Sequence, residues 1–196
     1  SIAKEGGEAV QLTEKGGGSP SWIMNGEKIA YTSDGKLWTM NTDGSGKKTV
    51  RNLDNFEIYS VSPQNDMIYF TRRVKLDQTA NEKHDMPHAN MRIIDELMYR
   101  HWDYWHDYSY SHIFVASFDG ESVTGEKDIM EGERYESPTA PWFDGSEIAW
   151  SPDGKTLAYT SKKLIGKEYA VSTNTDIYLY SVEDGTTVNI SEGNEG

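Results

Sequence analysis

Cysteine is absent from the 196 residues, which removes disulfides, thiol nucleophiles and cysteine-based zinc sites and leaves the redox compartment open. Positive charge is scarce as well. Nineteen Lys and Arg stand against 32 Asp and Glu, a formal net charge of −13. A nucleic-acid partner is excluded on that balance, because phosphate backbones are held by clustered cations. No apolar run approaches the roughly eighteen residues that a membrane span requires, so no membrane span is read, and no signal peptide is visible.

Signatures of catalysis are missing too. No serine sits in G-x-S-x-G, the strand-to-helix elbow of an α/β-hydrolase, and no βαβ alternation exists to carry one. Gly16-Gly17-Gly18 is followed by no Lys-Ser/Thr pair and no helix pattern, so it is not a phosphate loop. No acid stands apart as one of a hydrolytic carboxylate pair. His84-Asp85 with His88, and His101, Asp103, His106 with Asp107, offer metal-ligand types, but neither set has the H-E-x-x-H spacing. The residues therefore predict no catalytic group, no metal and no cofactor.

What is present is a repeat. The run Ser151-Pro152-Asp153-Gly154-Lys155-Thr156-Leu157-Ala158-Tyr159-Thr160 aligns without a gap on Ser62-Pro63-Gln64-Asn65-Asp66-Met67-Ile68-Tyr69-Phe70-Thr71. Asn25-Gly26-Glu27-Lys28-Ile29-Ala30-Tyr31-Thr32-Ser33 lies on it two residues further in. After each copy comes a run rich in β-branched and aromatic residues that closes on Asp-Gly: Lys36–Gly44, His112–Gly120 and Asp176–Gly185. Thr186-Thr187-Val188-Asn189-Ile190-Ser191 adds a fourth strand, and Glu8-Ala9-Val10-Gln11-Leu12-Thr13 has the same shape. Asp-Gly steps also account for six of the acids (Asp34, Asp43, Asp119, Asp144, Asp153, Asp184), so much of the negative charge is turn chemistry. Twelve Tyr and six Trp offset the low hydrophobic content of 36%.

Four strands per repeat predict an all-β fold, a partial β-propeller of about three four-stranded blades plus one extra strand. Equivalent positions Ile23, Ser62 and Ser151 are 39 and then 89 residues apart, so the middle blade carries an insertion, placed at 74–110. The expected blades are 19–54, 55–133 and 134–196, with 1–18 as the outer strand of a preceding blade. Three blades leave two open side faces, and the chain opens without methionine inside a repeat. A considerably longer parent protein is expected.

Within the insertion, Met91, Ile94, Leu97, Met98 and Trp102, with Trp105 beyond, fall at helical spacing, which predicts a short amphipathic helix over 91–102. The stretch from Tyr99 to Tyr110 is dense in aromatic rings. They either pack the insertion onto its blade, since rings bring large buried area, or line a substrate route or domain interface, since loops on rigid scaffolds carry binding residues.

Three segments carry a family resemblance: Tyr99-Arg100-His101-Trp102-Asp103 with Trp105, Ser111-His112-Ile113-Phe114-Val115, and Ser137-Pro138 through Trp150-Ser151-Pro152-Asp153-Gly154-Lys155. In that order and spacing they resemble the N-terminal propeller of bacterial prolyl oligopeptidase-family serine peptidases, nearest to the dipeptidyl-peptidase V and acylaminoacyl-peptidase-like subgroup. The Ser-Pro-Asp-Gly repeats alone are shared with TolB-type propellers, so a TolB-like protein-binding propeller is the alternative. The resemblance implies a separate C-terminal α/β-hydrolase domain carrying a Ser-Asp-His triad, with this propeller gating the entry of short peptide substrates and a periplasmic or secreted location. It also implies an acidic pair on a propeller insertion that grips the substrate amine. Asp95-Glu96 is the nearest candidate, although the flanking residues depart from that motif, and a solvated face or a salt bridge to Arg92 or Arg100 is the other reading. The candidate substrate-binding set is Asp95, Glu96, Tyr99, Arg100, Trp102 and Trp105.

Overall fold

The computed structural model describes residues 8–53, 57–64, 66–86, 88–89, 92–94, 97, 99–101 and 103–193. Its strands group by fours. The first sheet takes β1 (Gly18–Ile23), β2 (Lys28–Ser33), β3 (Lys36–Asn41) and β4 (Lys48–Asn52), each antiparallel to the next. The second begins with β5 (Tyr59–Val61) and β6 (Met67–Lys75). An insertion follows, holding helix α1 (Ala80–Lys83) and a small hairpin of β7 (Arg100–His101) and β8 (Tyr104–Trp105). The sheet then resumes with β9 (Ser109–Phe118) and β10 (Val123–Asp128), in spatial order β10-β9-β6-β5. The third sheet contains β11 (Ile148–Trp150), β12 (Thr156–Ser161), then helix α2 (Gly166–Val171), β13 (Asp176–Ser181) and β14 (Thr187–Asn189). Three antiparallel four-stranded sheets in chain order are the expected all-β, propeller-like arrangement.

The recurring turn explains the recurring sequence. Ser151 donates its hydroxyl to Asp153 at 2.6 Å and accepts the amide of Thr156 at 2.9 Å, while its own amide bonds the Thr156 carbonyl at 2.8 Å. Ser62 makes the same amide bonds with Met67, at 3.2 and 2.8 Å. Gln64 replaces the acid there, and Asp66 accepts the Ser62 hydroxyl at 3.0 Å instead. The degraded copy thus keeps its wiring by moving the carboxylate. Between β2 and β3, Asp34 and Gly35 both have positive φ (51° and 65°), the two-residue turn whose twist matches a hairpin.

The chain divides into two compact units: residues 1–69 with 116–126, and residues 70–115 with 127–196. In the first unit the opening sheet is filled on both faces. Ile29, Tyr31 and Met40 pack with Leu12 and Trp38 on one side, while Ala30, Leu37 and Thr39 are buried on the other. Glu121 joins Lys28 at 2.9 Å and Lys48 at 2.8 Å, which holds its carboxyl down at about 2. Gly120 has φ +84°, a backbone conformation that residues with a side chain rarely adopt, and a Cβ there would have to displace the Met24 side chain, so glycine is favoured in this turn.

In the second unit the third sheet is filled on one face. β12 alternates without a fault, burying Leu157, Tyr159 and Ser161. Tyr159 lies opposite Tyr178 in the ladder with ring centroids 5.4 Å apart, the cross-strand pairing that stabilises sheets. The opposite face presents Ile177 (42% exposed), Val188 (58%) and Ile190 (54%). Trp150 is half-buried on the edge strand β11. On the neighbouring strands, Phe70 and Phe114 stack at 5.6 Å with Arg72 over Phe114 at 4.4 Å.

Three details differ from the sequence reading. Among the described residues of 91–102 the expected helix is not formed: residues 92–94 are irregular, and Arg100 pairs with Trp105 and His101 with Tyr104 across a hairpin. The insertion's helix is α1, capped by a reciprocal Thr79–Glu82 box. Ile93, Ile94 and Leu97 are 46–50% exposed, so no tertiary burial supports a helix too short to stand alone. Of residues 1–18, expected as the outer strand of a preceding blade, the described residues 8–17 belong to no ladder and Gly18 opens β1. Extended chain becomes a strand only beside an accepting edge, and among the described residues none flanks Glu8–Thr13. Helix α2 in the β12–β13 connection had no sequence signal.

Phe70→Ala is expected to lower unfolding free energy by about 3–5 kcal/mol through the cavity it leaves. Urea denaturation measures this, and a loss below about 1 kcal/mol would place the ring outside the core.

Candidate functional site

The insertion between β6 and β9 departs from the sheet pattern, and its base is pinned chemically. The amide of Leu76 donates to the Tyr108 carbonyl at 3.0 Å. Arg134 clamps Asp77 with two bonds of 2.7 and 2.9 Å, the bidentate geometry in which guanidinium is strongest. Lys75 meets Glu82 at 2.5 and 2.7 Å, and with the Thr79 bonds this holds the Glu82 carboxyl at about 2.

Arg73, on the outgoing strand β6, joins the two ends of the loop. Its guanidinium donates to the Ser109 carbonyl at 2.6 Å and to Asp107 at 3.3 Å, and lies 3.5 Å from Glu136. Only 10% of the Glu136 side chain is exposed, and burial pushes its carboxyl up to about 7, with Arg73 opposing. Burial prevails because the Arg73 side chain is 41% exposed and water screens its charge. A carboxyl poised near neutrality is a group that can exchange protons in a working range.

His112 explains the Ser-His-Ile-Phe-Val segment. Fully buried on β9, its Nε2 donates to the Glu133 carbonyl at 2.8 Å, since a carbonyl only accepts, and its Nδ1 faces Asp128 at 2.8 Å. Ser111 adds a hydroxyl bond to the Ser137 carbonyl at 3.2 Å and receives the Ser137 amide at 2.9 Å. Together they bind 133–137 to the strand, so this motif maintains structure and sets Glu136 beside Arg73. Sequence reasoning passed over Arg73 and Glu136. Nothing in their neighbours marks them, because their pairing spans 63 positions.

The aromatic tip is a separate arrangement. Tyr99 stacks on Trp105 at 5.8 Å, with Arg92 at 4.5 Å and Arg100 at 5.2 Å from the indole centre. The Tyr99 carbonyl receives the His106 amide at 2.9 Å and closes the hairpin. Behind it, His106 packs on Tyr108 and Tyr110 at 5.8 and 5.0 Å, and burial lowers its pKa. The structure therefore brings together three of the predicted site residues, Tyr99, Arg100 and Trp105. Asp95, Glu96 and Trp102 lie outside the described residues. His106, Tyr108 and Tyr110 are half-buried, in keeping with rings that pack the insertion, while Tyr99 and Trp105 are 43% and 36% exposed. Among the described residues no three His, Asp or Glu side chains converge as a metal site, and no helix is long and apolar enough to cross a membrane.

Comparison with known proteins gives this geometry a context. No protein-family model matches the chain. It is 39% identical over 184 residues to a dipeptidyl-peptidase 5 of Porphyromonas endodontalis, covering 91% of this chain and 26% of that protein. It is 38% identical over 197 residues to a dipeptidyl-peptidase 5 of Porphyromonas gingivalis, covering 97% of this chain and 29% of the relative. The chain thus spans little more than a quarter of the relatives it matches. Among solved structures, the uncomplexed acylaminoacyl peptidase of Pyrococcus horikoshii superposes with a TM-score of 0.58 at 13% identity, over 89% of this chain and 25% of the other. That likeness is one of fold.

A pH dependence follows from Glu136. Its folded pKa of about 7 lies above the ordinary 4.5, so the folded state holds the extra proton, and the stability this contributes is full below about pH 4.5 and lost as pH rises through 7. Glu136→Gln is expected to flatten the stability–pH curve between those values. Urea midpoints at half-unit pH steps read it directly, and an unchanged slope would show that Glu136 titrates elsewhere.

Proposed function

The chain belongs to the propeller region of the dipeptidyl-peptidase 5-like prolyl oligopeptidase family, and from that premise we propose that it is a non-catalytic gate. In this reading it docks on an α/β-hydrolase domain of the same parent protein and admits short peptides to a serine nucleophile there. The observation that carries the proposal is the likeness to dipeptidyl-peptidase 5 across more than nine-tenths of this chain.

Two features support it. The pinned base of the insertion holds a loop with exposed rings and guanidiniums at a defined place on a β scaffold, the setting in which binding residues concentrate. The third sheet leaves Ile177, Val188 and Ile190 exposed, whereas the corresponding face of the first sheet, with Ala30 and Leu37, is buried. An open apolar face of this kind supports continued packing against further chain in a longer protein. Gating needs no chemistry from the propeller: a covered site rejects folded proteins by size and keeps bulk water from the reacting centre.

In the full-length protein, replacing residues 92–105 by a short glycine linker is expected to raise kcat/KM for peptides above about ten residues relative to a dipeptidyl chromogenic substrate. Equal ratios before and after the replacement would remove the gating role. The 196-residue chain alone is expected to hydrolyse neither substrate.

A further inference from the structure

The exposed tip of the insertion contains a charge arrangement that the gating role leaves unexplained. Arg92 and Arg100 both lie on the Trp105 indole, at 4.5 and 5.2 Å from its centre, and Tyr99 extends the aromatic surface at 5.8 Å. Two like charges on one ring repel, and in a chain with 32 acids against 19 Lys and Arg carboxylate partners are abundant. The cations at the base of the same insertion have them: Arg73 has Asp107 and Glu136, and Lys75 has Glu82. Among the described residues no carboxylate joins Arg92 or Arg100.

A guanidinium held over an indole by cation–π attraction spends no N–H donor on that contact and keeps its donors for an acceptor, and carboxylate is the acceptor that matches its fork. The indole limits the rotamers of both arginines, so less freedom is lost when a ligand arrives. Ile93 and Ile94, next to Arg92 and 46% and 48% exposed, offer apolar surface for the remainder of a peptide. Trp, Tyr and Arg are also the residues that dominate binding energy where proteins meet ligands.

We propose that Arg92 and Arg100, mounted on Trp105 and Tyr99, form a binding site for the carboxylate of a short peptide. The inference rests on the gating proposal only in naming a peptide as the bearer. The site captures the negatively charged end or side chain of a peptide at the insertion tip, by two charge-assisted contacts above an aromatic floor. It selects for charge in addition to the size selection of a gate. The bearer is either the C-terminal carboxylate or an acidic side chain, and the two are separable.

The test is calorimetric titration of the 196-residue chain with three probes: Ala-Ala-Phe with a free C-terminus, the same tripeptide as its amide, and Ala-Glu-Phe amide. The expected result is binding of at least one carboxylate-bearing probe and none of the neutral amide. Arg92→Gln and Arg100→Gln should each weaken that binding by about tenfold or more, the usual effect of losing a charged hydrogen bond. Lys83→Gln, an exposed cation on α1, should change nothing. Preference for the free acid assigns the C-terminal carboxylate, and preference for Ala-Glu-Phe amide assigns the side chain. Equal binding of acid and neutral amide, no binding of any probe, or retained affinity in the double arginine variant would overturn the proposal. Because all four mutated or mounting residues are exposed, unchanged urea midpoints certify that the variants are folded. Hydrolysis does not enter this experiment, so its failure is distinguishable from failure of the gating proposal.

Discussion

A sheet of four strands with apolar residues on both faces is stable only when both are covered, and the architecture of this chain follows from that requirement. β2 shows the condition met: Ile29 and Tyr31 are buried on one face and Ala30 on the other. β12 repeats the same apolar pattern, as Leu157, Ala158 and Tyr159, yet only the Leu and Tyr face is fully buried. Equivalent sequence in unequal surroundings marks the third sheet as one whose second face is open. Burial of a Val or Ile side chain contributes about 1.5–3 kcal/mol, so an exposed set of three is a substantial latent driving force for association.

Polar chemistry in the second unit works by a different rule. His112 and Ser111 are committed to the backbone carbonyls of Glu133 and Ser137, which belong to a segment outside the sheets, while Arg73 holds the Ser109 carbonyl at the start of β9. Irregular chain next to a sheet must satisfy its backbone groups somewhere, and buried side chains supply the answer. Glu136 shows the other side of this arrangement. Once the segment is held in place, its carboxyl is taken from water and its proton becomes harder to remove.

Much of the fold was legible because strand period and turn chemistry are local. Ser62 and Ser151 announce the same turn, and Asp34-Gly35 announces a hairpin, without reference to anything distant. The insertion was legible as an interruption but not in its structure. Apolar residues at 94, 97, 102 and 105 satisfy helical spacing, while the Tyr104-Trp105 step equally suits a strand, and the hairpin register of Arg100 with Trp105 decided between them. The site was legible in part for the same reason. Tyr99, Arg100 and Trp105 stand close in sequence and meet in space, whereas Arg73 and Glu136 meet only through the fold. Residues 8–13 resemble β14 in composition, but composition cannot supply the neighbouring edge that makes a strand.

The pinned base of the insertion has an evolutionary consequence. Since Leu76 and Tyr108 are already held together, lengthening or rewriting what lies between them alters a loop whose closure has been settled independently, and the entropic penalty of added length grows only logarithmically. The segment is thereby a graftable module: homologous scaffolds could diverge in preference by exchanging it while their sheets stay untouched.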